Sequence, residues 1–294
     1  MKANLSDKIS VAFMYMIIVL FAAFFIYPLL IVLGVSFTDE KQVVAEGYAI
    51  LPKHFSLDAY KYIFTSLGDK VMSGYLVTIF VTVVGTAACM VVTTTYAYAA
   101  SVRGFKHRNV LNVLAYIPLV FNAGILPWYI LLTKYYHLTN SLFALFVPAL
   151  MNLFYVFLLR NFFSTVPPEI AEAAKIDGAG HISILFHIYI PVARVGMVTI
   201  ALFYALSFWN DFYLAMMFMT NQQLYPLQFY LYTVLSNIDF LSNNQGTAMA
   251  SAIKVPLQTT KMALTCITVG PIILVYPFLQ RFFVKGVVIG AVKG

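Results

Sequence analysis

The sequence predicts an all-α integral membrane protein of six transmembrane helices with both termini in the cytoplasm. Three observations carry that reading. Hydrophobic residues make up 62% of the 294 positions and charged residues only 10%, far from the soluble average of about 25% charged. The apolar residues gather in runs of about 20 or more, the length needed to cross the roughly 30 Å hydrocarbon core of a bilayer. The basic residues fall unevenly between those runs, and that bias orients the chain.

In order, the runs are Val11 to Leu33, Val71 to Ser101, Val110 to Leu132, Ser141 to Phe163, Val192 to Met219 and Met262 to Phe283. Lys2 and Lys8 precede the first, as in a signal peptide. It is too long for one, and no small-x-small cleavage site follows at "YPLLIVLGVSFTDE", so it is read as a span. The second and fifth runs exceed one straight crossing, which predicts tilt or overhang. The sixth contains Pro271 and Pro277, tolerated in a membrane helix where neighbours satisfy the freed backbone groups.

With the N-terminus inside, eleven of the 18 Lys and Arg lie on the cytoplasmic side, the clearest group being Arg103, Lys106 and Arg108 in "VRGFKHRN". The net charge of +7 follows from this topology and calls for no nucleic acid. Cys89 and Cys266 both lie in apolar runs with no metal or disulfide spacing, and burial as small hydrophobes is the default for such cysteines. No constellation of His, Cys or carboxylates supports a membrane enzyme. The expected organisation is residues 1–70 as first span plus outer segment, 71–283 as membrane core and 284–294 as a cytoplasmic tail. Two outer segments, Phe37 to Lys70 and Thr220 to Lys261, are long and aromatic. They suit a soluble partner or a sugar-bearing ligand, and an interfacial aromatic belt has the same composition.

One charged stretch interrupts the oily runs: "PPEIAEAAKIDGAG", Pro167 to Gly180. Ser164 or Thr165 can cap a helix here, Pro167 and Pro168 suit its first positions, and Glu169 and Glu172 sit near the positive end of its dipole. The Ala-rich body favours helix, and Asp177, Gly178 and Gly180 end it. The amphipathic piece "HISILFHIYIPVAR" then leads back to the membrane. Local physics leaves two readings: a hairpin that closes the bundle, or a docking element.

The spacing of Glu172-Ala173-Ala174, Gly178, Ile188 and Ile190-Pro191 resembles the "EAA" signature of permease subunits in binding-protein-dependent ABC importers, with Ile190 where Leu is usual. "SFWNDFYLAMMF" and "QRFFVKGVVIGAVKG" are similar to the second permease of maltose-type carbohydrate importers. "YIPLVFNAGILPWYILL" with "LLRNFFSTVPPEIAEAAKIDGAG" resembles the branch associated with complex or uronate-containing oligosaccharides.

The resemblance implies the type I ABC importer permease fold in the cytoplasmic membrane of a bacterium. It also implies a partner permease, two ATP-binding subunits that hold ATP and Mg, an extracytoplasmic solute-binding protein and an oligosaccharide substrate. In the family the EAA loop is a coupling helix seated in a cleft of the ATPase. On that basis Glu169, Glu172 and Asp177 are candidate ATPase contacts, Ala173 and Ala174 allow close approach, Gly178 supplies the bend and Pro191 completes the motif. The family's C-terminal contact with the ATPase dimer maps to Gly290, Ala291, Val292, Lys293 and Gly294, whose alternative is a frayed terminus.

This chain has no G-x-x-x-x-G-K-[ST] loop, so it lacks that means of holding ATP, and no cofactor is expected in it. An ion-gradient-driven secondary transporter is the alternative, set back by the scarcity of acids in the spans. Asn122, Asn152, Asn210 and Asp211 are candidates for the translocation path; for each Asn, hydrogen bonding between helices is the more common role.

Overall fold

The computed structural model describes residues 5–121, 123–243 and 256–291. In chain order the helices are α1 (Leu5–Ser36), α2 (Glu40–Glu46), α3 (Asp58–Ser66), α4 (Gly68–Ser101), α5 (Arg108–Val120), α6 (Ile125–Tyr135), α7 (Leu153–Phe163), α8 (Pro168–Ile176), α9 (His181–Val192), α10 (Arg194–Asn210), α11 (Tyr213–Phe218), α12 (Leu227–Asn243) and α13 (Leu257–Ala291). Short 3-10 turns cover Leu142–Leu145 and Val147–Ala149. Among the described residues β structure is limited to an isolated antiparallel bridge between Thr38 and Phe55.

Among the described residues three helical stretches are continuous, apolar and long enough to cross a membrane: Ile9–Ser36, Gly68–Ser101 and Leu257–Val275. Three more spans exist if each bent pair counts as one, which gives up to six. The third, fourth and fifth runs, expected as single helices, are therefore broken. In the fourth, turns through Leu142–Ala149 meet α7 at a bend of 56°. Pro148 and the cap formed by Asn152 set that break. The fifth run starts at the corner where α9 and α10 meet at 87°, and it breaks where α10 stops at Asn210 rather than running on to Met219. Helix α13 passes through Pro271, Pro277 and the expected span end at Phe283 without interruption.

The chain divides into two compact units: residues up to 69 with 231–271, and residues 70–230 with 272 onward. In the first, the side chains of α1 from Ile9 to Leu30 are exposed, so the apolar helix is left to face lipid or another chain, and packing begins at Val35 and Ser36. Phe37 stacks on Phe55 and Tyr60, with ring centroids 5.6 and 5.0 Å apart. The Asp39 side chain caps α2 by accepting from Lys41 N. Glu40 does more. Its carboxylate accepts from Gln258 N, Thr259 N and the Thr259 hydroxyl at 2.8–2.9 Å, placing negative charge at the N-terminal end of α13, where the helix dipole favours it.

In the second unit α4 packs on α7 and α10. Leu159 and Phe163 from α7 and Ile200 from α10 are fully buried between them. The π-helical turn at Val81–Gly85 brings Gly85 against Phe146 and Phe208. Gly196, near the start of α10, lies under the Phe162 ring, and a Cβ there would sit 2.4 Å from Phe162 Cδ2 and 2.5 Å from Cγ. Small residues at such crossings let membrane helices approach closely.

Helix propensity and packing pull opposite ways at Gly196. Alanine is the better helix former by about 1 kcal/mol, while forcing a methyl into a filled crossing costs about 1–3 kcal/mol. Packing wins, so Gly196→Ala lowers the Tm of the detergent-solubilised protein. In a Phe162→Ala background the same change no longer lowers it; equal loss in both backgrounds refutes the assigned contact.

Candidate functional site

The charged stretch forms α8, and its caps differ from expectation at the N-terminal end. Ser164 and Thr165, expected as helix caps, instead donate their hydroxyls to Arg160 O at 2.9 Å and Phe162 O at 2.8 Å. They thereby satisfy the last carbonyls of α7, orphans of that helix end. The N-cap of α8 is Pro167, which makes no side-chain cap, and Pro168 at the first helical position has no N–H to satisfy.

The C-terminal end closes as a Schellman motif. Gly178 N donates to Lys175 O at 3.0 Å and Ala179 N to Ala174 O at 2.9 Å. Gly178 has φ +86°, the left-handed conformation that the motif demands and that Gly adopts without a Cβ penalty. Asp177 is the C-cap. Gly180, expected to share in ending α8, has φ −74° and serves instead as the N-cap of α9.

The faces of α8 are distinct. Ala171 is buried and Ala174 half-buried against the unit's core, while Glu169, Glu172, Ala173, Lys175 and Asp177 are exposed. Ile176 is 87% exposed and Ile182, just past the bend, 76%. Among the described residues Glu169, Glu172 and Asp177 form no ion pair with Lys or Arg. The helix thus presents uncommitted carboxylates beside bare isoleucines, a surface suited to a protein partner. A cleft beside it is lined by Arg103 and Arg108 together with Glu172 and Lys175, so the basic loop and α8 lie at the same end of the unit. Pro191, the last motif position, is exposed at the corner between α9 and α10.

Residues 97–289 match the family described as the binding-protein-dependent transport system inner membrane component. The chain belongs to that family. This permease is 36% identical over 297 residues, 100% of each chain, to the polygalacturonan/rhamnogalacturonan transport system permease protein YtcP of Bacillus subtilis (strain 168). It is 39% identical over 269 residues to Protein LplC of the same organism, covering 92% of this chain and 90% of that one. Among solved structures it is similar, with TM-score 0.84 and 28% identity, to a chain of a bacterial ABC transporter involved in the import of the acidic polysaccharide alginate, over 96% of this chain and 99% of that one.

The path candidates fall into two places in this permease. Asn152 Oδ1 caps α7 by accepting from Phe154 N at 3.0 Å and Tyr155 N at 3.3 Å. Its backbone N–H donates to Tyr204 Oη at 3.1 Å, and that hydroxyl pairs with Thr93 Oγ1 at 2.8 Å. Tyr204 therefore ties α4, α10 and the break before α7 together from a buried position.

Asn210 and Asp211 mark the end of α10. The Asn210 amide donates to Leu206 O and accepts from Gln228 Nε2. The Asp211 carboxylate accepts from Tyr213 N and Leu214 N, capping α11. Asn122 lies outside the described residues, as do Val292, Lys293 and Gly294; Gly290 and Ala291 are the helical end of α13. Trp128 packs its ring against Phe218, with centroids 5.5 Å apart. The Tyr204 junction was invisible in the sequence, where one more Tyr in an aromatic-rich run carries no signal.

Asn152 stabilises α7 through its cap. Asn152→Ala therefore lowers stability by about 1 kcal/mol, read as a lower Tm in detergent, and Asn152→Ser recovers most of it. Unchanged Tm with lost transport in Asn152→Ala refutes the capping role.

Proposed function

We propose that this chain is one of two permease subunits of an ATP-driven importer that takes an oligosaccharide from an extracytoplasmic binding protein and passes it across the cytoplasmic membrane of a bacterium by alternating access. The observation that carries the reading is α8: an exposed, Gly178-capped helix at the positions of the family's EAA signature. Two separate ATP-binding subunits hold ATP and Mg and hydrolyse it. Their closure carries α8 inward through Glu169, Glu172 and Asp177, with Ala173 allowing close approach and Ala174 seating the helix on its own core. Both termini, the Arg103 loop and α8 lie in the cytoplasm. Asn122, Asn152, Asn210 and Asp211 lie along the path, which is shared with the partner permease, and lipid surrounds the remaining faces.

Two relatives point to the substrate. One is a transport permease for polygalacturonan/rhamnogalacturonan and the other belongs to an importer of the acidic polysaccharide alginate. A uronate-containing oligosaccharide is therefore the cargo proposed here, and residues 290–294 are proposed to reach the ATPase dimer.

Space surrounds a Cβ at Gly178, so substitution there acts through the backbone alone. A β-branched residue held left-handed costs about 1–2 kcal/mol, and Gly178→Val straightens or reorients the bend. In the reconstituted importer, Gly178→Val abolishes most uptake of an oligogalacturonate while ATP hydrolysis and membrane insertion persist; Gly178→Asn, which tolerates this conformation better, retains more. Unchanged uptake in Gly178→Val overturns the assignment of α8. Uptake that persists without ATP and collapses with an ionophore establishes the secondary transporter instead. Deleting residues 290–294 lowers uptake, and full transport by that truncation removes the tail from the proposal.

A further inference from the structure

The attachments of the α8–α9 hairpin to its unit are mostly apolar. Ala171, Ile184, Leu185 and Tyr189 are buried. Contacts of this kind resist separation and allow sliding, because the hydrophobic effect is non-directional. One attachment is directional. The Tyr98 hydroxyl, in the last turn of α4, lies 3.0 Å from Nδ1 of His181, the first residue of α9. Among the described residues it is the only side-chain hydrogen bond that joins residues 168–192 to another element.

Its surroundings hold it in place. The Tyr98 ring meets Tyr189 edge-on, with centroids 5.0 Å apart at 86°, and Tyr189 meets Phe163 of α7 at 5.6 Å and 82°. Tyr98 and Tyr189 are buried, whereas His181 is exposed three residues beyond Gly178. The tyrosine is therefore the fixed end of the bond and the histidine the end that travels with the hairpin.

We propose that Tyr98 and His181 are a positioning pair that passes displacement of α8 into α4. The inference rests on the reading of α8 as the segment moved by the ATPase. When the hairpin shifts, apolar contacts permit it to slip over the core, and the Tyr98–His181 bond makes α4 follow. Both groups can donate or accept, so the bond needs only that one of them does each.

The test uses the complete importer in proteoliposomes, with both permeases, the ATPase and the binding protein, and reads substrate imported per ATP hydrolysed. Tyr98→Phe keeps the ring against Tyr189 and removes the hydroxyl; His181→Phe keeps an aromatic ring and removes the nitrogen. Each lowers the ratio by about fivefold, the equivalent of one net hydrogen bond, with ATP turnover retained. The double variant is no worse than either single one, as expected for partners in one interaction. His181→Asn, which keeps a hydrogen-bonding group near the Nδ1 position, restores most of the ratio. A wild-type ratio in Tyr98→Phe overturns the inference and leaves the role of α8 standing. Additive losses with no rescue by Asn assign the residues a merely structural role, which also overturns it. If the unaltered importer shows no ATP-dependent uptake, the reading of α8 fails first and this inference with it.

Discussion

Hydrocarbon offers no partner to a backbone N–H or C=O, so every interruption of a spanning helix has to be closed from within the protein. This permease interrupts its spans repeatedly, and several polar residues in its apolar runs close those interruptions. Asn152 closes the start of α7, and the Asp211 carboxylate the start of α11. The Thr78 hydroxyl accepts from Leu227 N at 2.8 Å and closes the start of α12. Glu40 does the same for α13 from outside the run. At Asn152, Asp211 and Thr78 the polar side chain closes a helix start, and any role in the path is added to that one.

The second unit is held by contacts of two kinds. Its centre is held by close helix crossings at Gly85 and Gly196 and by the Thr93–Tyr204–Asn152 junction. These contacts are directional or sterically tight. The α8–α9 hairpin is different: its buried face is apolar, with Ala171, Ile184, Leu185 and Tyr189, and its outer face is exposed. The Tyr98–His181 bond adds one directional contact between that hairpin and α4.

The end of α8 shows how much chemistry three residues can carry. Gly178 turns the chain because glycine takes a positive φ without strain, and the Schellman bonds from Gly178 and Ala179 satisfy the carbonyls of Lys175 and Ala174. The result is a sharp, self-contained corner. Glu172 before that corner and Ile182 after it are both exposed.

Membrane insertion, the apolar runs and the α8 stretch were legible in the sequence because each is local: hydropathy, charge and capping depend on neighbours along the chain. The Gly178 bend was legible for the same reason. The capping of α8 was misread at Ser164 and Thr165, since a hydroxyl between two helices can serve either one and only the chain's path shows which. The breaks within the third, fourth and fifth spans were hidden because hydropathy records what a segment prefers to be near and says nothing of its direction. The Tyr204 junction and the Tyr98–His181 bond join residues 52 to 111 positions apart. The sequence by itself determined which runs are apolar enough to span a membrane and where a charged, glycine-ended helix interrupts them; only tertiary structure decided where they bend and what ties them, because those choices depend on partners that meet in space and not along the chain.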